Sequence, residues 1–160
     1  MRQTWQSSQQ MGNLDDIDHR ILRELMRDAR QPNLALADRV GLSPSACLRR
    51  VQALERAGVI KSYRAVLDPA KLGLGFVAYV TVGLGAHTKA AQEALERAVA
   101  RAPEVRECHN ITGTVEYLLR VECADLADFK HWHTEVLGTL PQVRAITTFV
   151  VMGSPKDDRA

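Results

Sequence analysis

Cysteines are few in this sequence and long hydrophobic runs are missing, and each shortage excludes a class of protein. Three of the 160 residues are cysteine, and they form no CxxC pair. An odd number of widely spaced cysteines argues against a disulfide framework or a structural zinc site. No run of about 18 uncharged apolar residues occurs, so we expect no membrane span. Residues 1–12 are polar and lack the pattern of a secretion signal, so we expect a cytoplasmic protein.

A large excess of charge of one sign is also missing, because 21 Lys and Arg residues face 19 Asp and Glu residues. The distribution of these charges along the chain is more informative than their sum. Through residue 68 there are eleven basic and eight acidic residues, whereas the remainder has ten basic and eleven acidic residues. This asymmetry favours a first half that meets phosphate groups and a second half that does not.

Two helices are predicted in the first forty residues or so. Asp15 is the expected N-cap of the first, which should end near Arg30 because Pro32 disfavours helical geometry in the residue before it. Asn33 is the expected N-cap of a second, short helix that runs to Val40. Residues 1–13 have no periodicity and are expected to form a flexible tail.

A tight turn at Gly41 and a third helix are predicted next. Ser43 is the expected N-cap, Pro44 the first helical residue, and the helix should end at about Ala57. At 100° per residue, one side of this helix is apolar and comprises Cys47, Leu48, Val51 and Leu54. The opposite side is small and polar or basic, with Arg50 at its margin, and comprises Ser45, Ala46, Arg49, Gln52, Ala53 and Arg56.

Two helices joined by a tight turn, the second with a small and basic exposed face, are typical of a DNA-binding helix-turn-helix. Small residues let such a helix enter the major groove, and arginine can bond bidentately to guanine there. The alternative is a three-helix bundle whose charged face is only solvated.

The second half predicts a βαββαβ order. The strands are expected at residues 76–84, 105–111, 117–123 and 143–152, and the helices at 88–102 and 125–140. This order is that of the ferredoxin-like arrangement, in which both helices cover one face of the sheet. The other face, rich in Val, Phe and Tyr, would be bare, so we expect this half to dimerise.

The predicted fold class is therefore α+β, with two domains. Between them, residues 59–67 partly alternate and precede Asp68 and Pro69, which predicts a strand followed by a turn. The expected segments are a tail at 1–13, a helix-turn-helix domain at 14–59, a linker strand and turn at 60–75, a ferredoxin-like domain at 76–153, and a tail at 154–160.

The chain resembles the Lrp/AsnC, or feast/famine, transcription regulators of bacteria and archaea. The stretches that carry the resemblance are LDDIDHRIL from residue 14, DAR from 28, LADRVGLSPSACLRRVQAL from 36, the segment 55–60, LDP from 67, TGTVEYLLRV from 112 and FVVM from 149. They cover nearly all of residues 14–152, with two domains matched in order.

This resemblance implies a winged helix-turn-helix joined through a strand at residues 60–66 to a ferredoxin-like effector domain. It implies a non-enzymatic regulator that binds specific sequences of double-stranded DNA and assembles as dimers, often as tetramers or octamers. It further implies an amino acid or related metabolite as effector, bound between effector domains of neighbouring dimers, with no other cofactor and no membrane partner.

Five residues of the helix-turn-helix are the expected DNA contacts. Arg49 and Gln52 are expected to reach bases, whereas Ser43, Ser45 and Arg50 are expected to hold phosphates. Arg50 also has an alternative role, because its marginal position on the helix suits an ion pair with the helix on which it packs.

Five further residues match the segment that lines the effector pocket in the resembled family: Asn110, Thr112, Gly113, Thr114 and Glu116. The exposed backbone of a glycine turn suits a carboxylate. Many relatives carry Asp at the position of Glu116. The glutamate keeps the negative charge that could meet an ammonium group, but its side chain is one methylene longer than that of Asp. The alternative is an ordinary hairpin in which Gly113 only supplies a positive φ.

Metal sites and catalysis are not expected. His131 and His133 project about 200° apart on a helix, and Cys108 and His109 face opposite sides of a strand. The sequence shows no nucleophile beside a base and no glycine-rich phosphate loop. The alternative function, from another class, is a ferredoxin-like metabolite-binding module or small enzyme without DNA readout.

Overall fold

The computed structural model describes residues 14–157. They form two compact units, and the boundary between them along the chain falls between Ala65 and Val66. The tail predicted at residues 1–13, and residues 158–160 of the second predicted tail, lie outside the described residues. In the part of the chain that is described, no helix is both long and apolar enough to cross a membrane.

Helix α1 spans Asp16–Arg27 and is closed at its start by a reciprocal pair of carboxylates. The Asp15 carboxylate accepts a hydrogen bond of 2.9 Å from the Asp18 amide, and the Asp18 carboxylate accepts one of 3.3 Å from the Asp15 amide. The predicted end near Arg30 is wrong. The side chain of Asp28 accepts a hydrogen bond from the Arg30 amide, and this local turn replaces the last helical turn.

Helix α2 spans Asn33–Val40, and its start differs from the prediction. Pro32 precedes the helix as its N-cap, so the assignment of that role to Asn33 is wrong. The Asn33 side-chain amide donates instead to the Pro44 carbonyl at 2.8 Å. This bond ties the start of α2 to the start of the next helix.

The turn and the third helix are confirmed in detail. Gly41 adopts φ +73°, the left-handed conformation that glycine allows at the end of a helix. Helix α3 spans Pro44–Arg56, and the Ser43 hydroxyl accepts a hydrogen bond of 3.3 Å from the Ala46 amide at its start.

The core of the first unit is shared by all three helices. Its buried residues are Ile21, Leu36, Ala37, Val40, Cys47 and Leu54. Leu48, which the pattern assigns to the apolar side of α3, is 46% exposed instead. The buried stripe is narrower than predicted because it is centred on Cys47 and Leu54, about 100° and 120° away from Leu48 around the helix.

The predicted linker strand does not form within this chain. Residues 61–68 are exposed and have no regular secondary structure. A strand is stabilised by ladder hydrogen bonds to a neighbouring strand, and the described residues offer this segment no such neighbour. The turn predicted after Asp68 is present as a short 3₁₀ helix at Ala70–Leu72.

The second unit has the predicted βαββαβ order. Its elements are β1 at Phe76–Leu84, α4 at Lys89–Val99, β2 at Val105–Asn110, β3 at Tyr117–Cys123, α5 at Leu126–Trp132 and β4 at Val143–Val150. All pairings are antiparallel and the sheet order is β2-β3-β1-β4. Helix α5 continues as a π-helical turn at His133–Leu137 and so ends before the predicted residue 140.

One face of the sheet packs against both helices. The strands contribute Ala78, Val80, Val82, Tyr117, Leu119 and Val121, and the helical segments contribute Leu95, Val99, Phe129, Trp132 and Leu137. The alternation along β1 and β3 places every second side chain in this core, as the period of a strand requires.

The other face of the sheet is left open by α4 and α5. Register places Tyr79 beside Arg120 on β3 and beside Phe149 on β4. Phe149 is 56% exposed. The face also carries the buried carboxylate of Glu122, which accepts hydrogen bonds from Arg120 and, at 3.0 Å, from Arg106. The open face is therefore part apolar and part ionic.

Because the two cores share no residue, a cavity in one should loosen that unit selectively. Ile21→Ala empties a fully buried position and should cost about 2–5 kcal/mol of unfolding free energy. Hydrogen exchange followed by mass spectrometry should show lost amide protection in α1–α3 and retained protection in β1–β4.

The matched control is Leu119→Ala, which removes a fully buried side chain of the second core. It should produce the reverse pattern of amide protection. Equal loss of protection in both units with either variant would contradict two independent cores.

Candidate functional site

Helix α3 presents a polar and basic face to solvent. Ser45, Arg49 and Gln52 are all exposed, and they lie together on the side opposite Cys47 and Leu54. Within residues 14–157, the structure gives the Arg49 side chain no ion-pair or hydrogen-bond partner. The guanidinium is therefore free to bond a base edge or a phosphate.

The start of α3 is suited to phosphate. The Ser43 hydroxyl caps the helix and lies 3.3 Å from the Ser45 hydroxyl. Both residues are exposed, and the positive end of the helix dipole lies beside them. The fold thus places both predicted phosphate-binding serines together.

Arg50 is engaged within the protein. Its Nη1 atom donates to Asp15 Oδ2 at 2.8 Å and to Asp18 Oδ1 at 2.9 Å. The hydrogen bond from the Asp18 amide, and then the Arg50 guanidinium, hold the pKa of Asp15 below its usual value. The bonds to Asp18 and Asp15 raise the pKa of Arg50. This geometry favours the ion-pair interpretation of Arg50.

Asp15 and Asp18 were therefore missed as residues that position α3. Their charges were visible in the sequence as helix-capping signals, but local patterns do not show that an arginine 32 or more positions away would reach them. A second tie holds α2 on α1, because Arg39 pairs with Glu24 at 3.1 Å.

The predicted effector segment connects β2 to β3. Asn110 ends β2, Thr112, Gly113 and Thr114 are exposed, and Glu116 lies just before β3. Gly113 has φ +147°, which confirms the positive φ expected of the turn. The exposed backbone at this glycine is the feature that would accept a carboxylate.

Glu116 is the most constrained residue of this segment. The Leu84 amide donates to its Oε2 atom at 2.7 Å, and His87 Nδ1 lies 3.0 Å from its Oε1 atom. Its own amide donates to the Val82 carbonyl at 3.2 Å. The carboxylate thus ties the predicted effector segment to the end of β1.

His87 could not be identified from the sequence as a partner of Glu116. The two residues lie 29 positions apart, and only the pairing of Val82 with Tyr117 brings their segments together. Register of this kind cannot be derived from local pattern.

A cleft of about 480 Å³ lies beside the open edge of β2, between that strand and α4. Its lining includes Glu96, Val99, Cys108, Asn110 and Tyr117. The Tyr117 hydroxyl donates to Glu96 at 2.8 Å, and burial together with this bond raises the pKa of Tyr117. Asn110 contributes to this cleft, whereas the other four predicted effector residues do not.

Histidine and cysteine side chains form no metal centre among residues 14–157, where no group of three or more potential ligands comes together. His133 packs on Phe129 with ring centroids 5.8 Å apart. Cys47 and Cys123 are buried and Cys108 is exposed. Burial raises the pKa of Cys123 to about 11, so this thiol is a poor nucleophile at neutral pH.

Known protein families match both units in order. A winged helix-turn-helix DNA-binding family matches residues 14–61. The Lrp/AsnC ligand binding domain matches residues 77–160. These matches confirm the predicted fold class and the order of the two domains.

Two characterised relatives cover most of the chain. The proline dehydrogenase transcriptional activator of Rhodobacter capsulatus is 42% identical over 139 residues, which cover 87% of this chain and 90% of the relative. The leucine-responsive regulatory protein of Escherichia coli (strain K12) is 39% identical over 144 residues, which cover 90% of this chain and 88% of the relative.

Solved structures agree with this relationship. A transcriptional regulator from Neisseria meningitidis in complex with L-Met has a TM-score of 0.87 and 35% identity, over 91% of this chain and 94% of that one. An AsnC family regulator from Agrobacterium tumefaciens has a TM-score of 0.84 and 31% identity, over 89% of this chain and 93% of that one.

These relatives are regulators rather than enzymes, which decides against the alternative of a metabolite-binding module or enzyme without DNA readout. With a DNA-binding domain and a ligand-binding domain matched in order along nearly its whole length, this chain belongs to the Lrp/AsnC family of transcription regulators.

Proposed function

We propose that this regulator reads its DNA site through the exposed face of α3 and adjusts that binding to an amino acid held at residues 110–116. The observation that supports this most directly is the contrast between two adjacent arginines. Arg50 is bound to Asp15 and Asp18, whereas Arg49 extends into solvent from the preceding position on α3.

The ion pairs of Arg50 act together with the buried side chains of Cys47 and Leu54 to set how α3 is rotated about its own axis. With Arg50 turned toward α1, Arg49 and Gln52 face outward, where they can bond guanine and adenine in the major groove. Ser43 and Ser45 would hold phosphate at the helix start. In this arrangement Arg50 contributes by positioning α3.

The effector is an amino acid, taken up at the segment that Glu116 ties to β1. The Glu116 carboxylate is the group that would meet the ammonium, and the exposed amides around Gly113 would meet the carboxylate. The L-Met bound to the Neisseria structure supports this class of ligand. No further cofactor is required by this scheme, which operates in the cytoplasm.

A second copy of the chain is the proposed partner of the open sheet face, with tetramers or octamers built from such dimers. Phe149 and Tyr79 would bury apolar area there. The Nε atom of Arg120 is buried without an acceptor in the described part of the chain, and buried donors normally have one. A partner could supply it.

Replacing Arg49 with Ala should lower affinity for the specific DNA site by about 1–3 kcal/mol per subunit, because a base contact is lost. Affinity for random DNA should change far less. Both affinities can be measured by gel shift or fluorescence anisotropy over a salt series. Arg101→Ala, an exposed arginine of the second unit, is the charge-matched control and should leave specificity intact.

An equal loss on specific and random DNA, with a flatter salt dependence, would instead assign Arg49 to a phosphate. Unchanged binding to both DNAs would exclude the α3 face as the DNA-reading surface.

Glu116→Gln should weaken amino-acid binding about tenfold or more, because a hydrogen bond to a charged group contributes about 1.5–3 kcal/mol. Glutamine can still accept the Leu84 amide, so DNA affinity without effector should not change. A thermal-shift screen of the twenty amino acids identifies the effector, and calorimetry then compares the variants. Glu135→Gln, at an exposed residue of the π-helical turn, is the control and should bind the effector as the wild type does. An unaltered effector affinity in Glu116→Gln would place the effector site elsewhere.

Phe149→Glu should shift the protein toward a monomer, because a buried charge without a partner is costly at an apolar interface. Light scattering after gel filtration should give the wild type well above the 17.8 kDa chain mass at micromolar concentration. Leu126→Glu changes another large apolar residue, 64% exposed at the start of α5, and should leave the mass unchanged. A monomeric wild type would exclude the proposed dimer.

A further inference from the structure

Leu48 is a large apolar side chain that the fold leaves in solvent on α3. It is 46% exposed and is not part of the core formed around Cys47 and Leu54. Burying a leucine side chain is favourable, so a leucine left exposed at a functional surface points to a contact that forms with a partner.

Position on the helix places Leu48 in the proposed DNA-reading face. At 100° per residue it lies about 40° from Gln52 and about 60° from Ser45 around the helix axis. Arg49 lies about 100° from Leu48, on the same side as Gln52 and Ser45. Leu48 is thus an apolar side chain at the edge of that polar face, with the partly buried Val51 about 60° away on its other side.

We propose that Leu48 is a base-reading residue that packs against the C5-methyl group of a thymine. This rests on the proposed function, in which α3 lies in the major groove. The thymine methyl is the apolar group of the major-groove edge, and apolar side chains recognise it by contact. Gln52, the neighbour of Leu48, suits adenine, so one A·T step would satisfy both side chains.

The surroundings of Leu48 favour DNA over a protein partner. Protein-binding surfaces are contiguous apolar patches. On one side Leu48 adjoins Ser45, Arg49 and Gln52, which are polar or basic and exposed, and on the other side its only exposed apolar neighbour on α3 is Pro44. A single methyl-sized apolar contact in a polar setting matches a base edge better than it matches a protein surface.

The test removes the methyl group from the DNA and the leucine from the protein, separately and together. A specific site is first obtained by in vitro selection with the full-length wild-type protein. Each thymine of a half-site is then replaced by deoxyuridine, which lacks only the C5-methyl. Wild type should lose affinity about fourfold at one thymine, the value expected for one buried methyl group.

Leu48→Ala should lose affinity for the thymine site and should not respond further to deoxyuridine at that position. Leu34→Ala changes a leucine on α2 that is 61% exposed, and it should keep the full response to the methyl group. Thermal melting should be unchanged in both variants, because neither side chain is buried.

Three results would overturn the role of Leu48: a selected half-site without thymine, a wild type indifferent to every deoxyuridine, or a Leu48→Ala variant that retains the response. If one of these results occurs while Arg49→Ala still loses specificity, the proposal that α3 reads DNA is supported but Leu48 has no part in it. If wild type shows no sequence preference at all, the proposed function fails together with this inference.

Discussion

The guanidinium of Arg50 contacts two carboxylates at the start of α1, and the DNA-binding unit depends on this bridge. Asp15 and Asp18 close the first turn of α1 through each other's amides and also hold Arg50 at 2.8 and 2.9 Å. The same two side chains therefore begin one helix and set the orientation of another. Because adjacent residues on a helix lie about 100° apart, fixing Arg50 toward α1 also fixes where Arg49 points.

Carboxylates also link separate segments of the chain in the second unit. Glu122 is buried between Arg106 and Arg120 on the open sheet face, and Glu116 accepts the Leu84 amide at the end of β1. Each joins segments that are distant in sequence. A buried carboxylate must be paired to offset its desolvation, so these contacts favour one arrangement of the strands over others.

Local signals predicted the fold well, and long-range contacts were largely missed. Asp15 and Ser43 were identified as caps because capping depends on residues within one turn. The strand at residues 60–66 was predicted from alternation and from the family resemblance, although a strand also needs a neighbouring strand that alternation does not reveal. Leu48 was assigned to the core because a helical stripe drawn from residue type includes every apolar side chain within it, whether or not another element covers it.

The proposed DNA and effector sites differ in the same way, because one depends on local pattern and the other on long-range contacts. The exposed face of α3 follows from one helix, so Ser45, Arg49 and Gln52 could be identified in the sequence and lie together in the structure. Arg50, also expected there, contacts α1 instead. The partners of Glu116 follow from sheet register, so Leu84 and His87 could not be identified.

The contacts of Glu116 bear on regulation because they lie at the end of β1, which is in the middle of the sheet between β3 and β4. A ligand ammonium that takes the Glu116 carboxylate must share it with the Leu84 amide and His87 or displace them. Either outcome acts on the end of β1, the strand that also places Tyr79 on the open face. Through this strand, effector binding at the proposed site, residues 110–116, would have a direct mechanical route to the surface proposed for assembly.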